Sequence, residues 1–228
     1  MSLDTYNSPD ELYLARGDEV NPNRPLFTGD VFATLAVDGL DEPSMVMIVA
    51  HPCSFRAGAT LEDRVLVAAV HPCEKHGPGA WTRGLFNRTP LPDLRGAGNW
   101  AGHLDEMARA RSDQLEQAER VACLSEVSIN ILQQRLTHYL TRAEIPTTLF
   151  NQAFAHTLEE ADLLEEWLDT LTAAGWSKGD ATGDFEDFLA TGDPTLRQLL
   201  RDPQRRATIR TRCRKQASSL AKRPGAGS

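Results

Sequence analysis

Two copies of one tripeptide carry the densest chemistry in this sequence. His51-Pro52-Cys53 and His71-Pro72-Cys73 lie twenty residues apart, each just after a short apolar run, Met45–Ala50 and Val65–Val70. Two imidazoles and two thiols form an accepted tetrahedral zinc set if the runs are neighbours, and His76 is a fifth candidate ligand. The spacing speaks against that set. Structural zinc sites favour two to four residues between ligands, and one residue separates His from Cys in each copy. The residues therefore predict no metal and no cofactor, with zinc as the alternative. The thiols read as small buried hydrophobes and the imidazoles as caps on loop carbonyls. A third reading is acid–base chemistry. His51 or His71 can move a proton in metal-independent RNA cleavage, with Arg56 or Arg64 as the cation. Phosphate-cradling Gly-x-x-x-x-Gly-Lys and nucleophile-elbow Gly-x-Ser-x-Gly patterns are both absent from the sequence.

The tripeptides need elements to hold them. Met45–Ala50 and Val65–Val70 are rich in Val and Ile, too short for typical helices, and followed by prolines that cannot continue a central ladder. They read as adjacent strands buried on both faces. Val31, Ala33, Leu35 and Val37 alternate after Thr28-Gly29-Asp30 and predict a third, half-buried strand. Residues 1–25, broken by Pro9, Gly17, Pro22 and Pro25, read as an N-terminal arm. Residues 77–102 are dense in Gly and Pro and read as a long loop insertion pinned by Trp81, Leu85, Phe86 and Trp100. Between Leu104 and Val121 a helical spacing is present but out of register.

The C-terminal part reads as helices. Ser125 is an N-cap for a helix with Ile129, Leu132, Leu136 and Tyr139/Leu140 on one face. After Pro146 a second helix carries an apolar stripe from Phe150 through Leu171 and an acidic face that includes Glu159, Glu160, Glu165 and Glu166. Leu163, Leu164 and Trp167 read as packing residues. Asp193-Pro194 and Asp202-Pro203 each announce a further helix by a capping carboxylate before proline.

Composition sets the class. The chain has 228 residues, 41% hydrophobic and 25% charged, which fits a folded protein of one large domain, or of one domain plus a helical extension. Its apolar runs are far shorter than the ~20 residues that span a bilayer, and no secretory leader precedes them, so the expectation is a cytoplasmic protein without membrane contact, its four cysteines reduced. The formal charge of -8 conceals an asymmetry. Leu196–Arg223 holds ten Lys or Arg against one acid, Asp202. Arg205, Arg206, Arg210, Arg214 and Lys215 are thus candidates to bind RNA, DNA or a protein partner, or to meet this chain's own acidic helix, within the chain or across a homodimer.

The opening Thr28-Gly29-Asp30-Val31-Phe32, the pair of buried strands and the helix from Ser125 resemble the MazF/PemK toxin family over about residues 26–142. The resemblance implies an SH3-like barrel. The fold expected is therefore α+β: an N-terminal arm (1–25), a MazF-like barrel with its loop insertion and packing helix (26–145), and a helical extension with a basic end (146–228). RNA-cleaving members of that family resemble one another in an Arg just before the second strand and a Thr or Ser just after the third. Here Glu42-Pro43-Ser44 and His71-Pro72-Cys73 occupy those places, so neither role is carried over. The expected function is non-catalytic binding on a bacterial MazF-like barrel, in a toxin–antitoxin or phage-defence setting. The alternatives are a metal-independent endoribonuclease and a zinc-stabilised structural module.

Overall fold

A computed structural model describes residues 2–57 and 60–222. The chain is an α+β protein whose strands form a curled, antiparallel, seven-stranded sheet. The strands are β1 (Tyr13–Arg16), β2 (Val31–Leu35), β3 (Ser44–Ile48), β6 (Arg64–Pro72), β7 (Arg88–Pro92), β8 (Asn99–Arg111) and β9 (Arg120–Leu124), with a small β4 (Arg56–Ala57) and β5 (Thr60–Leu61) pair apart from them. Across the sheet the order is β1-β9-β2-β3-β6-β8-β7. The helices are α1 (Pro78–Arg83), α2 (Ser112–Gln117), α3 (Glu126–Thr141), α4 (Thr147–Ala173), α5 (Lys178–Leu189), α6 (Leu196–Leu199) and α7 (Pro203–Ala221). Among the described residues no helix is long and apolar enough to cross a membrane.

The chain divides into two compact units. The first holds the sheet with α1 to α3 and runs to Ala153; the second holds Asn23–Pro25 and the residues from Phe154 onward. The boundary therefore falls inside α4, somewhat beyond the expected 145/146.

In the first unit the two apolar runs are neighbouring strands: Val46 pairs with Ala69 and Ile48 with Val67. Phe32, Val46, Ile48, Val65, Val67, Ala108 and Ala110 share one core beneath Leu26 and Leu115. The Gly-Asp turn has a physical reason. Gly29 has φ +86, and an added Cβ would lie 2.7 Å from Leu124 Cβ. Asp30, 1% exposed, accepts from Phe27 N at 2.9 Å and pairs with Arg120 at 3.3 Å. Its buried carboxylate thereby ties the start of β2 to β9. Ile48 is fully buried, so truncating it to Ala is expected to cost about 2–5 kcal/mol, read as a lower urea midpoint for this unit at unchanged slope.

Three expectations are corrected here. The N-terminal arm is part of the fold: β1 pairs with β9, and Leu3 and Leu12 are 1% and 0% exposed. Its prolines and glycine punctuate short elements that take their backbone partners from the rest of the unit. Residues 77–102 are not a loop, because α1, β7 and the start of β8 lie there. Pro90 and Pro92 are tolerated because β7 is the sheet's edge. The ambiguous 104–121 stretch is mostly strand. β8 runs to Arg111 and only α2 is helical, since pairing with β6 decides the conformation where side-chain period does not.

The second unit is an all-helical cluster. Leu163, Leu164, Trp167, Leu168 and Leu171 of α4 pack with Phe185, Leu189, Leu196, Ile209, Cys213 and Leu220. Asp202 caps α7 with Pro203 in its first turn, as the sequence announces. The cap before α6 is Thr195 rather than Asp193: its hydroxyl accepts from Gln198 N while Gln198 reaches back, a reciprocal box. The acidic face of α4 is not a solvated one. Arg210 pairs with Glu159, Arg214 with Glu166, and Arg197 with Glu160 and with Glu186 of α5.

Candidate functional site

The site lies where β8 departs from regular pairing with β6. Ala69 pairs with His103 and the preceding Ala68 pairs with Met107, so Leu104, Asp105 and Glu106 are extra residues on β8. A bulge of this kind re-aims side chains. It puts Glu106 in reach of two imidazoles. His71 Nε2 lies 2.9 Å from Glu106 Oε2, and His103 Nδ1 lies 3.0 Å from Glu106 Oε1. The two rings meet edge to face with centroids 4.8 Å apart. An added Cβ on Gly102 would lie 2.6 Å from Met47 Cε, the flexible end of that side chain.

The three groups differ in access. The side chains of His71 and Glu106 are 35% and 48% exposed, that of His103 only 10%. Burial, and then the Arg88 charge, push the His103 pKa below its ordinary value against the opposing pull of Glu106. Arg88 stands directly opposite His103 on β7. The hydrogen bond from His71 and the charges of both imidazoles hold the Glu106 carboxyl below the usual carboxylate range, against its burial. The bonding pattern assigns tautomers. With both rings neutral, His71 donates Nε2–H and His103 donates Nδ1–H to one carboxylate, which places the free lone pair of His71 on Nδ1.

Both shifts carry the same linkage sign. A depressed pKa means that the unfolded chain binds the proton more readily, so acid destabilises the fold. The His103 contribution is complete above about pH 6.5 and is lost as pH falls toward its lowered folded value. The Glu106 contribution is lost at still lower pH. Urea midpoints taken from pH 7.5 to 5 are expected to fall less steeply in His103→Gln than in the wild type. Parallel profiles would contradict the assignment.

The candidates from the sequence separate in space. His71 is in the trio; His51 is not. The twin tripeptides adopt different structures. His71 and Pro72 still belong to β6, whereas His51 caps the short helical turn Pro52–Ser54 and its Nδ1 accepts from Cys53 N at 3.2 Å. Among the described residues the ligand-type side chains gathered within 4.8 Å are His71, His103 and Glu106, without Cys53, Cys73, His51 or His76. Cys53 is exposed. Burial raises the Cys73 thiol pKa, partly offset by Arg88, so it is not an activated nucleophile. His76 meets Trp81 edge to face at 5.5 Å. Arg56 lies in β4. Arg64 opens β6 at odd separation from His71 and so projects from the opposite face of the strand.

His103, Glu106 and Arg88 carry no signal in the sequence reading, because a bulge is a property of strand pairing. The donor set His, His, Glu is one that zinc accepts. Two features favour an anion instead: the carboxylate already takes both imidazole N–H groups, and the Arg88 charge acts on His103 from the neighbouring strand. The chain matches no protein-family model and no curated protein.

Proposed function

We propose that this protein is a metal-independent endoribonuclease whose sheet is a MazF-like, SH3-type barrel and whose centre is His71, Glu106, His103 and Arg88. The carrying observation is the single carboxylate shared by a half-buried and a buried imidazole. A partly exposed base oriented by a carboxylate is the arrangement that activates a hydroxyl, and the Arg88 charge from the neighbouring strand suits the charge that builds on phosphate.

Neutral His71 takes the proton of a ribose 2′-hydroxyl through Nδ1. The 2′-oxygen attacks the adjacent phosphorus, and Arg88 balances the charge on the phosphate oxygens. The imidazolium is stabilised by Glu106 and returns the proton to the leaving 5′-oxygen as the P–O5′ bond breaks. The products are a 2′,3′-cyclic phosphate and a 5′-hydroxyl. His103 touches no substrate in this scheme; it holds Glu106 from the buried side.

The test is cleavage of a mixed-sequence single-stranded RNA by purified protein in excess EDTA. Cyclic-phosphate ends in EDTA, lost in Glu106→Gln, are expected. Activity that requires added metal would sink the scheme, and stoichiometric RNA binding without cleavage would favour the non-catalytic binding protein.

A further inference from the structure

The basic C-terminal segment is not one surface. Packing sorts seven of its charges into two sets. Arg197, Arg210 and Arg214 face α4 and are neutralised by Glu160, Glu186, Glu159 and Glu166. The opposite side of α7 is different. Arg205 and Arg212 are seven residues apart, as are Lys215 and Lys222, the C-cap residue that keeps αR backbone just past the helix end, so each pair repeats about every 10.5 Å along one side. All four are exposed, and Thr208 and Ser219 lie exposed among them. The acid beside this stripe is Asp202, at the helix start and 3.9 Å from Arg205. Among the described residues, Arg212, Lys215 and Lys222 have no acidic partner.

We infer that the Arg205–Arg212–Lys215–Lys222 stripe of α7 binds the phosphate backbone of single-stranded RNA; the choice of RNA rests on the nuclease reading above. The stripe carries no apolar side chain to insert into a bilayer interface. It has no aromatic anchor of the kind that dominates protein–protein interfaces. It has no base-reading array and no stacking ring. What remains is positive charge at helical spacing with hydroxyl donors between, which matches phosphate oxygens and little else. Binding here is therefore independent of sequence and steeply dependent on salt. The segment's neutralised arginines take no part. Of the five basic residues singled out from the sequence, Arg210 and Arg214 are occupied, while Arg212 and Lys222 join Arg205 and Lys215. Arg206 is engaged with the Leu200 carbonyl at 3.0 Å.

The experiment uses the full chain and a fluorescein-labelled 2′-O-methyl-uridine 20-mer. This probe has no 2′-hydroxyl to attack phosphorus, so binding is read without cleavage. Four phosphate contacts predict log K falling against log salt with a slope of about -3 between 50 and 200 mM KCl. Changing Arg205, Arg212, Lys215 and Lys222 together to Gln is expected to remove that slope and weaken binding at 50 mM by at least tenfold, with the thermal melt unchanged because all four side chains are exposed. Wild-type protein that does not bind the probe at 50 mM KCl would overturn the inference. So would a quadruple variant that binds as well as wild type, or wild type that prefers polyglutamate to the probe. Cleavage of the 2′-hydroxyl RNA is scored separately. Binding without cleavage removes the nuclease reading alone; cleavage with stripe-independent binding removes this inference alone.

Discussion

Replacing His71 with Ala is expected to lower the RNA cleavage rate in EDTA by about 10²- to 10⁴-fold, the usual worth of a positioned acid–base group. The side chain is partly exposed, and its interaction with Glu106 is a solvent-facing one that contributes little to folding. The variant should therefore melt like the wild type, which separates a chemical defect from a structural one. Glu106→Gln keeps the size of the side chain but removes the charge that stabilises an imidazolium. It should lower the rate without weakening the binding of uncleavable RNA. Arg88→Met should lower the rate and also let the His103 pKa rise, because the Arg88 charge is one of the two main influences holding it down. A proton NMR titration of His103 reads that second effect independently of activity. If His71→Ala cleaves as fast as wild type, the trio is not the catalytic centre.

The largest stability effect is expected at Arg135. This α3 side chain is 0% exposed and donates to the backbone carbonyls of Trp81 at 2.6 Å, Arg88 at 3.1 Å, Leu85 at 3.4 Å and Asp4 at 3.5 Å. Burial lowers its pKa to about 10, against the favourable charge of Asp4. Five planar N–H donors suit several carbonyls at once, which a lysine ammonium cannot reproduce. Arg135→Met leaves those carbonyls buried without their donor and should cost about 3–5 kcal/mol, measured as the shift in urea midpoint of the first unit. Arg135→Lys should recover only part of this. Because one of the four carbonyls belongs to Arg88, the surviving folded fraction should also show altered cleavage, traceable to the strand beside His103. A midpoint within ~0.5 kcal/mol of wild type would show that solvent replaces the guanidinium without penalty.

Local chemistry made several elements legible in the sequence. Strong Val/Ile runs closed by proline gave β3 and β6 and their adjacency. Ser125 and the Asp202-Pro203 pair announced the starts of α3 and α7, because capping is decided within a few residues. The acidic and basic helices were evident as opposite charges, and their pairing followed the simplest way to neutralise both. The α3 face was less legible. Its apolar spacing pointed to Leu136 and Leu140, yet Leu140 is 62% exposed, while Gln133, Gln134, Arg135 and His138 are buried. Polar residues become interior when the rest of the fold supplies acceptors: Val49 O for Gln133, Ile145 O for Gln134 and four carbonyls for Arg135. No window of sequence contains those partners.

The site shows the same division. His71 was visible because a repeated His-Pro-Cys is unusual, but its twin was equally visible and caps a turn instead. What distinguishes them is the strand opposite. His103 and Glu106 are 32 and 35 residues from His71, and the bulge that follows His103 in β8 brings Glu106 within reach of both rings. The sequence by itself determined the segments that bury, the residues that cap, and the sign of charge on each helix, since these depend on side chains a few positions apart. Tertiary structure alone decided which histidine meets a carboxylate, which strand sets an arginine opposite its buried partner, and which arginines of α7 remain outward, because each depends on register and packing between segments distant in the chain.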